Sequence, residues 1–211
     1  HVFWYTLQSK NHDLAELRKT SAAEWKQIFR DRAHVTDWPY GSGVWGKKEW
    51  VLPGLDGDYR TPRASLAPND RAGYRDAWVT LGFDPASPCL WTRGLERMDL
   101  PARHGEGKFI ASEQTLGRLR DQHQIVARYL GADGAPTQDW PHNPNGSPDA
   151  IAGICDPSGR LFGLMPHPDA FLYPFHHPDW ARRRVLGTAA QEGAGLAIFR
   201  NGVDAAAAEL A

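Results

Sequence analysis

Residues 167–169 place an imidazole and a carboxylate two positions apart, a combination that acid–base catalysis often uses. His167 and Asp169 flank Pro168 and follow directly after the apolar run 161–165. A nucleophilic thiol or hydroxyl needs a base, and that base needs an acceptor that fixes its tautomer. The alternative is a strand end turned by a proline, with polar residues meeting water. The tripeptide alone leaves both interpretations open.

Two further motifs allow either binding or simple turns. In HGEGKF, residues 104–109, His104 and Glu106 alternate with glycines. Glycines let a ligand or partner approach the backbone closely, although a turn with solvated charges explains the same pattern. NPNGS, residues 143–147, is rich in turn formers, and its simplest interpretation is a plain turn.

A histidine-rich segment raises the question of a metal. Its imidazoles and carboxylates are of the types that bind zinc. Their spacing matches no common metal motif, and two prolines interrupt any helix that would align them. We therefore predict no metal site, and a metal-dependent hydrolase is the last-ranked alternative. The residues concerned are His167, Asp169, His176, His177 and Asp179, interrupted by Pro174 and Pro178.

The composition is that of a globular chain. Of 211 residues, 41% are hydrophobic and 23% charged, and the formal net charge is −1. We therefore expect neither a nucleic-acid nor a membrane partner. With only two cysteines, Cys89 and Cys155, no disulfide framework is expected, which favours a reducing, cytoplasmic location. The first residue is His1, which indicates a chain that is processed, tagged or cut from something longer.

The elements that must position these residues follow from periodicity. A capping box at residue 21 predicts a helix over 22–33, and residues 40–75 are predicted to be loops. Alternation predicts a strand over 78–83, and the segment 112–131 is split into a helix to about Gln122 and then a strand. A hairpin is predicted over 151–165, with Cys155 in its core, and a last helix contains Leu196, Phe199 and Val203.

Together the motifs resemble the glutaminase component of phosphoribosylformylglycinamidine synthase, a class I glutamine amidotransferase of purine biosynthesis. The resemblance covers residues 52–203, and the combination of HGEGKF, NPNGS and LMPHP is specific. The segments that carry it are NDRAGYRDAWVTLGF (69–83), SPCLWTRG (87–94), LPARHGEGKF (100–109), QIVARY (124–129), NPNGSPDAIAGICDPSGRLFGLMPHPDAF (143–171) and GLAIFRNGV (195–203).

The resemblance implies specific roles. His167 corresponds to the general base and Asp169 to its orienting acid, where the family usually has glutamate. A thiolate would attack glutamine and form a thioester, ammonia would pass to a synthetase component, and no cofactor is implied. L-glutamine and that synthetase are the expected substrate and partner. His104, Glu106 and Asn145 are predicted to bind substrate or partner, with residues 103–109 as a docking or ammonia-transfer surface.

The sequence departs from the family at the nucleophile. YGSGVWGKKEWVLPGLDG (40–57) aligns in two ways: Trp45 occupies the position of the cysteine, or the whole elbow is deleted, which we favour. Neither alignment supplies a nucleophilic cysteine. The chain is then a catalytically dead relative, a truncated, frameshifted or rearranged product, or a sequence from which a segment has been left out.

The implied fold is α/β, of the class I glutamine amidotransferase (flavodoxin-like) three-layer type, incomplete at the N-terminal side. We expect a central, largely parallel sheet flanked by helices. Residues 1–51 are predicted to be a divergent or rearranged part, and 52–211 a glutaminase-like domain. The function expected is glutamine hydrolysis for purine synthesis, and the alternative is a catalytically dead module that docks on the synthetase.

Overall fold

The computed structural model describes the backbone of residues 3–6 and the chain over residues 63–210. The predicted helix over 22–33 and the divergent nucleophile segment 40–57 lie outside these described residues. The boundary proposed near residue 51 also lies outside them.

Two β-sheets and three α-helices make up the described chain. The larger sheet has six strands in the order β1-β8-β7-β6-β3-β4, and β2 pairs with β5 in a separate two-stranded sheet. The strands are β1 (Phe3–Thr6), β2 (Ala64–Ala67), β3 (Arg75–Phe83), β4 (Arg97–His104), β5 (Lys108–Ala111), β6 (Ile125–Tyr129), β7 (Ile151–Cys155) and β8 (Leu161–Leu164). The helices are α1 (Glu113–Asp121), α2 (Trp180–Val185) and α3 (Leu196–Leu210).

All strand pairs of the larger sheet are antiparallel over the described residues, so the expected largely parallel sheet is wrong there. Parallel neighbours need a crossover of a dozen or more residues, usually a helix. Here β7 reaches β8 through a short turn, and β3 reaches β4 through a loop without an α-helix. The helix α1 connects β5 to β6, which belong to different sheets.

Several local predictions are confirmed. The segment after Ser112 divides as expected, because α1 ends at Asp121 and β6 begins at Ile125. The hairpin forms with Gly153 opposite Leu164 and Cys155 opposite Phe162. The last helix begins at Leu196. The predicted loop over 40–75 is wrong at β2, whose buried Ala64 and Leu66 alternate with partly exposed neighbours.

The larger sheet is buried on both faces, which gives three layers. Successive residues of a strand point to opposite faces. In β7, Ile154 therefore joins a cluster with Leu116 and Leu119 of α1, while Cys155 joins a second cluster with Ile198 of α3. Helices thus cover both faces, as the α/β expectation requires.

Candidate functional site

His167 lies three residues beyond the end of β8. Its backbone N–H donates to the carbonyl of Pro101 on β4 at 2.8 Å, which fixes the residue between two elements. Pro168–Ala170 then form a single 3-10 turn. The imidazole is 9% exposed, whereas the carboxylate of Asp169 is 41% exposed. The strand does end at a proline turn, but only the carboxylate meets water.

The two predicted catalytic side chains face each other. Nδ1 of His167 lies 3.7 Å from Oδ1 of Asp169, within ion-pair reach and just beyond a hydrogen bond. Burial lowers the pKa of His167, and the charge of Asp169 offsets part of this effect. A neutral imidazole is the form that accepts a proton, so the arrangement suits a base.

A second buried histidine lies at the end of β4. His104 is 2% exposed, and its Nδ1 lies 3.0 Å from Oδ1 of Asn69. The same Oδ1 accepts the backbone N–H of Gly107, while Nδ2 of Asn69 donates to the His104 carbonyl. Asn69 therefore holds the HGEG turn from 35 residues away in the chain. Asn69 is the first residue of the segment 69–83 that carries the family resemblance, but no local motif predicts its contact with His104.

The amide of Asn69 fixes the tautomer of His104. Because Oδ1 of an amide only accepts, Nδ1 of the imidazole is the donor, and Nε2 carries the lone pair. Nε2 is buried and has no hydrogen-bond partner within the described ranges. Burial is the main cause that lowers the pKa of His104 to about 4, and the charge of His167 adds to it. His104 is therefore neutral at physiological pH.

Docking or ammonia transfer by residues 103–109 stays a prediction, and the structure shows which of these side chains are exposed. Arg103 and Glu106 are exposed, and Lys108 pairs with Asp70 at 2.5 Å. Alternation along β4 turns Arg103 outward and His104 inward, so His104 is not among the exposed charges. Binding of a substrate or partner by His104 and Glu106 stays a prediction.

Asn145 belongs to an internal polar network. It is 1% exposed, its Nδ2 donates to the hydroxyl of Tyr129 at 2.9 Å, and its Oδ1 accepts from Ser147 Oγ at 2.7 Å. Ser147 Oγ in turn accepts the N–H of Phe109. The side chain thus joins β5, β6 and the NPNGS loop, so that motif is more than a plain turn. Contact of Asn145 with a substrate or partner stays a prediction.

Both cysteines lie near the turn of the 151–165 hairpin, and a Cβ built on Gly159 would come 3.0 Å from the Cα of Cys89. Each is buried and unpaired by a disulfide, and Cys155 stands opposite Phe162 at the turn end of the hairpin. His167 follows the other end of β8, five residues beyond Phe162. A hydrogen bond shared with Cys89 and burial both raise the pKa of the Cys155 thiol, which keeps it protonated.

The other histidines of the candidate metal cluster make different contacts. His177 packs against Trp78 at 4.7 Å, and its Nδ1 accepts the N–H of Asp179. His176 lies edge-on to Tyr173 and Phe175. Over the described residues, no three His, Cys, Asp or Glu side chains form a group that could hold a metal ion.

Of the helices within the described part of the chain, none combines the length and apolar character that crossing a membrane requires.

Comparison with known proteins identifies the family to which the chain is similar. The family model described as a CobB/CobQ-like glutamine amidotransferase domain matches residues 45–204. The subunit PurQ of phosphoribosylformylglycinamidine synthase from Dehalococcoides mccartyi is 37% identical over 156 residues, which cover 74% of this chain and 57% of that protein. PurQ from Synechococcus sp. (strain JA-2-3B'a(2-13)) is 51% identical over 105 residues, which cover 50% and 40%.

A solved structure described as PurLQS from Thermotoga maritima is 21% identical, with a TM-score of 0.47, and the match covers 68% of this chain and 53% of that one. The match thus spans little more than half the length of the PurQ subunits from Dehalococcoides mccartyi and Methanococcus maripaludis, at 57% and 58%, and 40% of the one from Synechococcus. Since the family model matches well over half of the chain, the chain belongs to the CobB/CobQ-like glutamine amidotransferase family.

Proposed function

We propose that the chain functions in the glutaminase component of phosphoribosylformylglycinamidine synthase, with His167 as general base and Asp169 as its orienting acid. The observation that carries the proposal is the His167–Asp169 pair, 3.7 Å apart at the end of β8, with the imidazole buried and its backbone tied to β4. The likeness to PurQ subunits supports the same assignment. Residues 52–211 form the glutaminase-like domain in this proposal.

In the proposed reaction, His167 carries the proton in each half of the catalytic cycle. Neutral His167 takes the proton of a thiol, and the thiolate sulfur bonds to the side-chain amide carbon of glutamine. The imidazolium then returns the proton to the leaving nitrogen as the C–N bond breaks, which releases ammonia and leaves a thioester. Water deprotonated by His167 cleaves the thioester, so glutamate leaves and the thiol is restored. Asp169 stabilises the imidazolium in each half of the cycle.

The position of the thiols favours a second candidate function. Cys89 and Cys155 are the two cysteines of the sequence, and both are buried around the far end of the hairpin. Without a thiol beside His167, the chain alone has no covalent route to a thioester. It then acts as a non-catalytic module that docks on the synthetase. Its free thiols suit a reducing compartment, so the proposal includes a cytoplasmic location.

The exposed charges at the end of β4 contribute to docking in both candidates. Arg103 pairs with Asp76 at 3.4 Å, and Glu106 is exposed on the adjoining turn. Surface charges mainly set the orientation and rate of association. Arg103→Ala with Glu106→Ala should therefore slow binding to a matching synthetase without unfolding the chain. Unchanged association would remove this turn from the docking surface.

The test is glutamate release from glutamine, measured for the purified chain and for His167→Ala. Equal background rates in the two proteins would support the non-catalytic module. Turnover that disappears in His167→Ala would establish an active glutaminase, and Cys89→Ser would then ask whether that cysteine is the nucleophile. A chain that neither releases glutamate nor binds the synthetase would contradict both candidate functions.

A further inference from the structure

An exposed apolar surface follows closely after the candidate catalytic residues. Tyr173 is 56% exposed, Phe175 60%, Val185 86% and Leu186 62%. These four are half of the exposed large hydrophobic residues that the described chain presents, and they fall within 14 consecutive positions. The ring of Phe175 lies 6.5 Å from that of Trp180, and Arg184 lies over the Trp180 ring, so the aromatic pair adjoins α2. We call the four apolar residues together with Arg182 and Arg184 the aromatic–arginine patch. Exposed apolar clusters of this kind on a folded surface commonly mark interaction sites.

The patch has a defined shape. The rings of Tyr173 and Phe175 stack 5.3 Å apart with an interplanar angle of 5°, and His176 closes the pair edge-on. Pro174–His176 form a 3-10 turn that fixes the backbone between the two aromatic rings. A partner would therefore meet a preformed aromatic surface, which lowers the entropy lost on association.

The patch is anchored to the rest of the fold. Phe171 and His177 pack against Trp78 of β3 at 5.0 and 4.7 Å. Arg183 reaches Asp99 of β4 at 4.0 Å, and Gly195 at the start of α3 donates to the carbonyl of Phe171 at 3.0 Å. The patch is thus held in place relative to β4, where Pro101 anchors His167.

The helix α2 adds little to the core. It has no buried residue, and Val185 and Leu186 at its end point to solvent. Exposed apolar side chains contribute little to the stability of the isolated chain, and a partner that covers them would bury apolar surface. The stability of the isolated chain does not explain this arrangement.

The charge of the segment indicates the chemistry of the partner. Positions 173–186 carry three arginines, at 182–184, and one acidic residue, Asp179, while Arg183 also pairs with Asp99 of β4. Arg182 is 71% exposed even in its pair with Asp179, and Arg184 lies over the ring of Trp180. A complementary surface is apolar at its centre and carries acidic residues around it.

We propose that the aromatic–arginine patch docks the synthetase component through an apolar surface rimmed by acidic residues. This inference rests on the proposed function, because ammonia must reach the synthetase before it escapes to solvent. Tyr173 lies four residues after Asp169, and the backbone of Phe171 between them is hydrogen bonded to α3. A partner on the patch would therefore contact the segment that directly follows the candidate catalytic pair.

The experiment measures association of the full chain with a matching synthetase by biolayer interferometry at low and high salt. The apolar variant is Tyr173→Ser with Phe175→Ser, and the charge variant is Arg182→Glu with Arg184→Glu. Val203→Ser is the matched control, because Val203 is 68% exposed on α3 outside the patch. Circular dichroism and light scattering of each variant check the fold and self-association.

We expect the apolar variant to raise the Kd about tenfold or more, mainly through faster dissociation. The charge variant should slow association and weaken its dependence on salt, and the control should match the unchanged chain. A synthetase that binds all variants equally would overturn the inference and leave the proposed function intact. A patch variant that abolishes only self-association would assign the patch to a second copy of the chain. An unchanged chain that fails to bind the synthetase contradicts the docking common to both candidate functions, and this inference with it.

Discussion

Oδ1 of Asn69 lies 3.0 Å from Nδ1 of His104, and this contact determines which nitrogen of the buried imidazole carries the proton. The amide oxygen accepts both from His104 and from the N–H of Gly107. The lone pair of His104 is thereby left on Nε2. Burial is the main cause that lowers the pKa of His104, and the charge of His167 adds to it.

Replacing Asn69 should separate structural from electrostatic effects. Asn69→Ala removes the acceptor of two buried N–H groups, and we expect a loss of about 1–3 kcal/mol in the free energy of unfolding. Asn69→Asp keeps the acceptor and adds a negative charge, so the pKa of His104 should rise. Urea unfolding measures the first effect and NMR titration of the ring the second. Asn201→Ala, which loses bonds to the carbonyls of Trp91 and Arg93, is a control that should leave the His104 titration unchanged.

The depressed pKa of His104 predicts an acid-dependent stability. The folded value is about 4, against 6.5 for an unperturbed histidine. Between these values the unfolded chain binds more protons, so stability is full above about pH 6.5 and falls as the pH decreases towards 4. The contribution is on the order of 3 kcal/mol.

His104→Gln isolates this contribution. Because burial also lowers the pKa of His167 and His177, part of the acid sensitivity should persist in the variant. The difference between the two proteins in urea unfolding at pH 4 to 7 reports His104 alone. Parallel curves over that range would contradict the assignment.

Asp169 should control the basicity of His167. Its charge favours the imidazolium, so Asp169→Asn is expected to lower the pKa of His167 further. Asp169→Glu adds one methylene to a carboxylate that now lies 3.7 Å from Nδ1, and we expect the pKa to rise. NMR titration of His167 tests both directions. Identical titrations in the two variants would show that the carboxylate does not act on the ring.

Replacing two helical glycines by alanine should change the stability of the fold in opposite directions. A Cβ on Gly202 of α3 would lie 2.2 Å from Cζ3 of Trp91, so Gly202→Ala should cost about 1–3 kcal/mol through overpacking. A Cβ on Gly117 of α1 meets nothing within 4 Å, so Gly117→Ala should stabilise by about 0.5–1 kcal/mol. Thermal unfolding of the two variants gives the comparison. Equal shifts would mean that α3 does not pack closely on Trp91.

The hairpin and the boundary between α1 and β6 could be predicted because local signals determine them. Residues 151–165 alternate apolar runs with an Asp-Pro-Ser-Gly turn, and Gly159 takes a φ of +70°, which glycine tolerates best. Ser112 accepts the N–H of Thr115 and so caps α1. These features involve residues that are neighbours in sequence.

Strand β4 escaped prediction although its pattern alternates. Met98, Leu100 and Ala102 are buried, but Pro101 in the middle argues against a strand. The proline is tolerated because β4 is the last strand of its sheet, and its carbonyl accepts the N–H of His167. Likewise the hydrogen bond between Asn69 and His104 joins residues that are 35 positions apart in sequence, and no local pattern predicts a contact over such a separation.

The antiparallel sheet could not be read from strand content alone. Alternation identifies strands, but direction depends on which strands become neighbours, and β3 pairs with β6 across the intervening β4, β5 and α1. The family resemblance predicted a largely parallel sheet. The short connections between the described strands instead produce antiparallel pairs.

Because Cys89 and Cys155 are buried, the folded chain should react little with thiol-directed probes. At 2% and 1% exposure, neither sulfur is open to a maleimide or nitroxide reagent while the fold is intact. A single cysteine introduced at Phe175 or Val203 would then be the reactive thiol on the described surface. Fluorophores or spin labels at those two positions would report directly which side of the molecule changes environment when another protein arrives.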